Sequence, residues 1–161
     1  MKVSLPDQEP LDTAEQILPV DPARSLELCK QEIDAGVDGV RRARSLYLAG
    51  SALQRLERTD ESLGHLVNAL KIYESSDDKN GQVAVLTAIG RAQQTQGRLE
   101  AAIDSFAEAL SITREVEDFE AEAQLLNLQA GALNAQGDYV TALTRLEEAE
   151  AGYKRLGLNE R

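Results

Sequence analysis

The stretch LTAIG at Leu86–Gly90 decides the fold, because it recurs at steps of forty residues in both directions. The preceding copy is LYLAG at Leu46–Gly50, and the following copy is LNLQA at Leu126–Ala130. A second series keeps the same step further along each unit, and it consists of Leu66, Phe106 and Leu146, then Ala69, Ala109 and Ala149. A period of about twenty to fifty residues is typical of solenoids, in which each unit buries its apolar face against its neighbours.

Each repeat contains two segments with apolar residues at helical spacing, separated by a short polar break. The first helices are predicted at 39–57, 79–96 and 119–136, and the second helices at 60–76, 98–116 and 138–155. Gly97 and Gly137 stand where a helix end favours a left-handed residue. Because the first repeat has Glu57 in that region, we expect a looser turn there.

The segment before the repeats carries all four prolines of the chain within its first 22 residues. Asp12 is predicted to cap a short helix through Leu18, with Glu15 completing a capping box. Asp21 and Pro22 then form a favourable start for a second helix that ends near Ala35. This second helix resembles the latter half of a degenerate repeat.

The predicted fold class is therefore all-α, a right-handed α-solenoid of antiparallel helix hairpins with about three and a half repeats. We divide the chain into a lead-in with a degenerate half repeat (1–36), repeat 1 (37–78), repeat 2 (79–118), repeat 3 (119–157) and a tail (158–161). Gln129 is polar where the repeat pattern expects an apolar residue, which leaves the register of repeat 3 less defined.

The order of small and large residues in these units resembles the tetratricopeptide repeat. That family usually has a period of about 34 residues, so these units resemble its long form, as found in modules of bacterial signalling proteins. The resemblance covers about residues 37–157. It implies a scaffold for protein interactions whose first helices line a concave groove.

The groove face implied by this resemblance has no Asp or Glu at its fifteen positions, although the chain has 28 acidic residues against 17 basic ones. Arg can form two bonds to a carboxylate, and amides can bond a peptide backbone as donor and as acceptor. The predicted peptide-binding groove consists of Arg44, Tyr47, Ser51, Gln54, Arg55, Thr87, Arg91, Gln94, Gln124, Asn127 and Asn134. Ala84, Thr95, Gly131 and Ala135 complete the face.

The last helix has an apolar side without a following repeat to cover it. Leu143, Leu146, Tyr153 and Leu156 form a predicted self-association face, which would make a homodimer. The main hypothesis is a non-catalytic module that binds an extended or acidic protein segment in the groove. Two alternatives stay open: a self-associating regulatory domain of a longer bacterial signalling protein, and, with less support, a sensor of small ligands.

Other functions are disfavoured by composition. The net charge of −11 opposes binding to nucleic acids and to anionic membranes. One cysteine (Cys29) and one histidine (His65) are too few for a zinc site of four ligands, and no catalytic motif is present. We therefore predict no enzyme activity, no metal and no cofactor. The single cysteine and the absence of a signal peptide or a long apolar run favour the cytoplasm.

Overall fold

The computed structural model describes residues 10–157, and this part of the chain forms eight α-helices and no strands. The helices are α1 (Pro10–Ile17), α2 (Pro22–Asp34), α3 (Gly39–Arg55), α4 (Thr59–Ser75), α5 (Lys79–Thr95), α6 (Leu99–Glu115), α7 (Phe119–Gln136) and α8 (Tyr139–Arg155). The six long helices α3–α8 agree with the predicted bounds to within two residues. The all-α fold class is confirmed. The predicted tail and the first nine residues of the lead-in lie outside the described residues.

The chain divides into two compact units, the first ending at Asp77 and the second beginning at Asp78. Unit 1 contains α1–α4, in which α1 packs on α2, α2 on α3, and α3 on α4. Unit 2 contains α5–α8, packed in sequence in the same way. In both units, a first helix and the following second helix form a hairpin.

The core of unit 1 includes a cluster contributed by α1, α2 and α3, with Leu11, Ala14, Cys29 and Leu53 at most 1% exposed. The hydroxyl of Ser25 on α2 donates to the carbonyl of Ala14 on α1 over 2.8 Å. Residues 10–34 thus supply both helices of a shortened hairpin, and these are the two helices predicted for this segment.

The predicted capping box at the start of α1 is wrong. α1 already includes Pro10, so Asp12 lies inside the helix and not at its cap. Asp12 and Glu15 point instead to α3, where both carboxylates accept hydrogen bonds from the guanidinium of Arg44. The spacing of three residues that suggested a cap instead places Asp12 and Glu15 on one face of α1, where both can contact Arg44.

Close approach of the two helices in the hairpins α3–α4 and α5–α6 depends on a glycine in the first helix. A Cβ on Gly50 would lie 2.8 Å from Leu66, and one on Gly90 would lie 2.5 Å from the Phe106 ring. The third repeat has Ala130 at this position. Small residues therefore face large ones inside each hairpin, as dense packing requires.

The turns inside the hairpins have the same conformation in all three repeats. Gly97 and Gly137 adopt positive φ as predicted, with values of +73° and +94°. The expected looser turn in the first repeat is wrong, because Glu57 also adopts a positive φ of 60°. The next amide, that of Arg58, donates to Leu53 O over 2.9 Å, which closes the same Schellman-type turn.

Gln129 keeps the register of the repeats despite its polarity. It is only 5% exposed, like the apolar residues at the same repeat position. Its Nε2 donates to the carbonyl of Ile103 on α6 over 3.4 Å. Its Oε1 has no partner among the described residues.

Candidate functional site

The candidate site of unit 2 is a polar face formed by exposed residues of α5 and α7. All predicted groove residues of these helices are at least partly exposed, with Arg91, Gln124, Asn127 and Asn134 in the exposed class. No carboxylate among the described residues is paired with Arg91. The guanidinium can therefore bind an external carboxylate, which is the chemistry proposed for it from the sequence.

The hydroxyls and the remaining amides of this face are partly engaged. Thr87 Oγ1 donates to Val83 O over 2.7 Å, which is a bond within its own helix. Gln124 Nε2 donates to Glu120 over 3.4 Å, so an acidic residue lies at one edge of the face. The predicted positions thus carry no acidic residue, but Glu120 lies one helical turn before Gln124.

Gly131 lies on the same side of α7 as Asn127 and Asn134, since these residues are four and three positions apart. A Cβ at this position would meet only Gln94 Nε2, at 3.8 Å. Packing therefore does not require a glycine here, unlike at Gly90. A glycine inside a helix costs about 0.5–1 kcal/mol relative to alanine, and one use of it is the close approach of a ligand.

This face continues into a shallow depression between α7 and α8, with a volume of about 510 Å³. It combines amides from the predicted groove with leucines from the predicted self-association face. The lining residues are Asn127, Ala130, Gly131, Asn134, Tyr139, Ala142, Leu143 and Leu146. The sequence predicted the groove amides and the leucines of the self-association face as two separate surfaces, but in the α7–α8 hairpin they line the same depression.

The four residues of the predicted self-association face differ in exposure. Leu143 and Leu146 are 58% and 44% exposed and line the depression. Tyr153 is partly buried, and Leu156 follows the last turn of α8. Glu150, which lies between Leu146 and Tyr153 on the helix surface, is exposed and paired with Lys154. The exposed apolar side chains of α8 therefore lie in its first half, and Leu156, just beyond its end, is also exposed.

The groove residues predicted in unit 1 have more internal contacts. Arg44 binds Asp12 and Glu15 over 2.7 and 2.6 Å, which raises the pKa of its guanidinium further. Arg44 is therefore not a free charge for a ligand, contrary to the role assigned from the sequence. Tyr47 is partly buried and packs against the core cluster of this unit.

Three further predicted residues of α3 lie at its surface. Ser51 and Gln54 are partly exposed, and Gln54 has an internal partner. Arg55, in the last turn of the helix, is exposed. Arg55 is therefore the residue of the unit 1 set that keeps the predicted role of a surface cation.

The two residues with the most reactive side chains are placed away from these faces. Burial raises the pKa of the Cys29 thiol to about 11, and the thiol is fully buried. His65 is partly buried, and burial together with the nearby Lys30 lowers its pKa. Within residues 10–157, no group of three or more His, Cys, Asp or Glu side chains is arranged to hold a metal ion.

Sequence reasoning missed the importance of two residues. Gly131 belonged to the predicted face but was not singled out, although its repeat equivalents Ser51 and Arg91 are not glycine. Tyr139, 68% exposed, fell within the predicted helix 138–155 but was given no role. An aromatic residue directly after the Gly137-Asp138 turn was the available signal for an exposed contact at the start of α8.

Stacked antiparallel helix hairpins with a polar face on their first helices define a class of helical repeat proteins. Within this class, the family model of the tetratricopeptide repeat matches residues 41–115. This match confirms the resemblance predicted from the sequence. No curated protein matches the chain by sequence.

Solved structures support the same fold. Aspartyl phosphate phosphatase F from Bacillus subtilis is similar with a TM-score of 0.80 and 17% identity, over 94% of this chain and 43% of that one. A Rap protein complexed with competence and sporulation factor has a TM-score of 0.75 and 18% identity, over 92% and 45%. The MamA protein has a TM-score of 0.72 and 14% identity, over 94% and 75%.

The chain spans less than half the length of the first two of these structures. At these identities, the similarity shows the fold alone. Among the described helices, none is both long enough and apolar enough to cross a membrane.

Proposed function

We propose that this chain is a non-catalytic protein-interaction module whose polar face on α5 and α7 binds an extended peptide segment containing acidic residues. The observation that carries the proposal is the exposed, acid-free set of side chains on this face. The chain as a whole carries 28 acidic residues against 17 basic ones. A face without carboxylates attracts acidic segments that the rest of the surface repels.

The side chains of this face have distinct roles in the proposal. Arg91 binds a carboxylate of the peptide, and its planar fork sets the orientation of that group. Asn127 and Asn134 bond the peptide backbone, because each amide offers a donor and an acceptor. Gly131, between them, allows the backbone to approach α7 closely.

Ligand binding by a protein of this fold supports the proposal. The Rap protein that is similar to this chain was solved in complex with competence and sporulation factor. The low identity means that the ligand of that protein does not define the ligand of this chain. We expect an acidic segment as the ligand of this chain because of the side chains on its own α5 and α7 face.

The proposal is tested with peptides selected from a random octapeptide display library on the wild-type chain. Counter-selection on an Arg91→Glu/Asn127→Ala variant removes peptides that bind elsewhere. We expect the selected sequences to be enriched in Asp and Glu. Fluorescence anisotropy should show at least a tenfold loss of affinity for Arg91→Glu, since charge-assisted hydrogen bonds contribute about 1.5–3 kcal/mol.

Arg98→Glu is the matched control, because Arg98 is an exposed arginine that precedes α6 and lies outside the face. It changes the net charge by the same amount and should leave affinity nearly unchanged. Equal losses for the two variants would mean that only overall charge matters. Failure to select any peptide dependent on Arg91 or Asn127 would refute the proposal.

Self-association through α8 is a second candidate, supported by the 58% and 44% exposure of Leu143 and Leu146. Light scattering over a concentration series would detect a homodimer. The dimer should be lost in Leu146→Glu and retained in Val140→Glu, which alters an exposed residue of the same helix outside the depression. A monomer at all concentrations would rule out this candidate.

A further inference from the structure

The apolar first half of α8 has an internal counterpart on α6, forty residues earlier. Leu143 and Leu146 correspond to Ile103 and Phe106. Phe106 is fully buried, whereas Leu146 is 44% exposed. Ile103 is partly buried and packs against the cluster of Ala130, Leu133 and Ala142. On α6, the Phe106 ring lies against Gly90 of α5, and Ile103 lies on the side that α7 contacts.

The contacts of α7 on α6 provide a template for what could cover α8. Gln129 of α7 reaches the carbonyl of Ile103. At the other end of α6, Arg114 Nε bonds to Glu122 Oε1 over 2.6 Å, so α7 begins with an acid that pairs with α6. The residue forty positions after Arg114 is Lys154, which is also basic, is 61% exposed and pairs with Glu150 of its own helix.

The floor of the depression is suited to a helix. Ala130, Gly131 and Ala142 line it with small side chains, while the larger Leu143 and Leu146 form the α8 side. Small residues at a contact allow helix axes to approach closely, and larger residues beside them fill the grooves of the second helix. The same arrangement of small and large residues operates inside the hairpins of this chain.

From these observations we infer that the depression between α7 and α8 docks an amphipathic helix of a partner protein in the position that α7 takes on α6. The partner helix carries an acidic residue in its first turn, which pairs with Lys154 as Glu122 pairs with Arg114. Its apolar side covers Leu143 and Leu146. This goes beyond the proposed peptide function, since it concerns a folded segment and adds the leucines of α8 to a surface that shares Asn127 and Asn134 with the peptide face.

A second copy of the chain is a less suitable occupant. Its own α7 is already packed against α6 and α8. The net charge of −11 on each copy also opposes self-association. A partner helix has neither restriction, and the inference therefore assigns the surface to a different protein.

The experiment uses a labelled peptide that copies residues 119–136 and is held helical by a side-chain staple on its polar side. Binding to the intact chain is followed by fluorescence anisotropy. We expect saturable binding that weakens at least tenfold in Leu143→Glu and in Leu146→Glu. Val140→Glu, on the 80% exposed side chain of the same helix, should bind as the wild type does.

The charge pair gives a second readout that a merely structural effect would not change. A peptide with Glu122→Lys should bind two- to fivefold less well, a factor of the order known for exposed ion pairs. Lys154→Glu in the protein should restore its binding and weaken that of the unmodified peptide. Circular dichroism of each protein variant confirms that it is folded.

Three results would overturn the inference: no saturable binding at millimolar peptide, equal binding of a scrambled peptide, or a wild-type homodimer that Leu146→Glu dissociates. The last result would make a second copy the occupant. Arg91→Glu should not affect the helical peptide, and Lys154→Glu should not affect the selected acidic octapeptides. The two proposals can therefore fail independently.

Discussion

Replacement of Gly90 by alanine tests the packing inside the second hairpin. The new Cβ would lie 2.5, 2.8 and 2.9 Å from three carbons of the Phe106 ring, well below the usual carbon contact of about 3.5–4.0 Å. Phe106 is fully buried, so the ring has no open space to move into. The same substitution placed on an exposed position of a helix would stabilise it.

The expected magnitude follows from two opposing effects. Overpacking of a core costs about 1–3 kcal/mol, and contacts as short as these place Gly90→Ala at the upper end. Alanine in place of glycine returns about 1 kcal/mol of helix propensity. We therefore expect a net loss of about 2 kcal/mol in the free energy of unfolding.

Urea denaturation followed by circular dichroism measures this loss, and Gly131→Ala is the matched control. Gly131 is also inside a helix, but its Cβ would meet only one atom, at 3.8 Å. This variant should gain about 0.5–1 kcal/mol of stability. If the Gly90→Ala variant proved as stable as the Gly131→Ala variant, the tight contact described between α5 and α6 would be refuted.

Three further outcomes are expected in unit 1 and in the turns. Glu57→Gly should raise the free energy of unfolding by about 1 kcal/mol, because a non-glycine residue at positive φ is strained by about that amount. Gly97→Ala should lower it by a similar amount. If urea denaturation showed no opposite change in stability for the two variants, the turns would not be left-handed. Arg44→Gln should cost about 1 kcal/mol by the same assay, as expected for partly exposed ion pairs, and no loss would mean that the contacts with α1 contribute nothing. Cys29 should resist iodoacetamide at pH 8 until urea unfolds the chain. Burial raises the pKa of the Cys29 thiol from its ordinary value of 9.0 to about 11, so its stabilising effect is complete below pH 9 and is lost as pH rises towards 11, by up to about 2–3 kcal/mol. Cys29→Ala should lack this part of the pH dependence.

The sequence was sufficient to predict the helices because the same apolar pattern occurs in all three repeats. Apolar spacing located the long helices, and Gly97 and Gly137 marked the left-handed turns correctly. Glu57 was misjudged because the backbone bonds of the Schellman-type turn hold a left-handed residue even without glycine, which composition alone does not reveal. Asp12 was misjudged because its spacing to Glu15 suits both a cap and a shared contact with Arg44.

The candidate site was less predictable for a different reason. Arg44 and Arg91 were both predicted on the groove face, but only tertiary contacts show that Arg44 is bound to α1. The depression combines Asn134 with Leu146, which were assigned to different surfaces because repeat positions describe one helix at a time. Distances between neighbouring helices are the information that the pattern lacks.

The buried amide of Gln129 has a consequence for how the chain assembles. Because the repeats resemble one another, an incorrect helix could dock against α6 during folding, and misassembly of this kind is characteristic of repeat proteins. The other repeats have Ala49 and Ile89 at this position, and neither side chain can bond the carbonyl of Ile103. A slip of α7 by one turn would move the Gln129 amide about 5.4 Å from its acceptor and leave both of its polar atoms buried without partners. Gln129 thus distinguishes α7 from the corresponding helices of the other two repeats, α3 and α5, when a helix docks against α6.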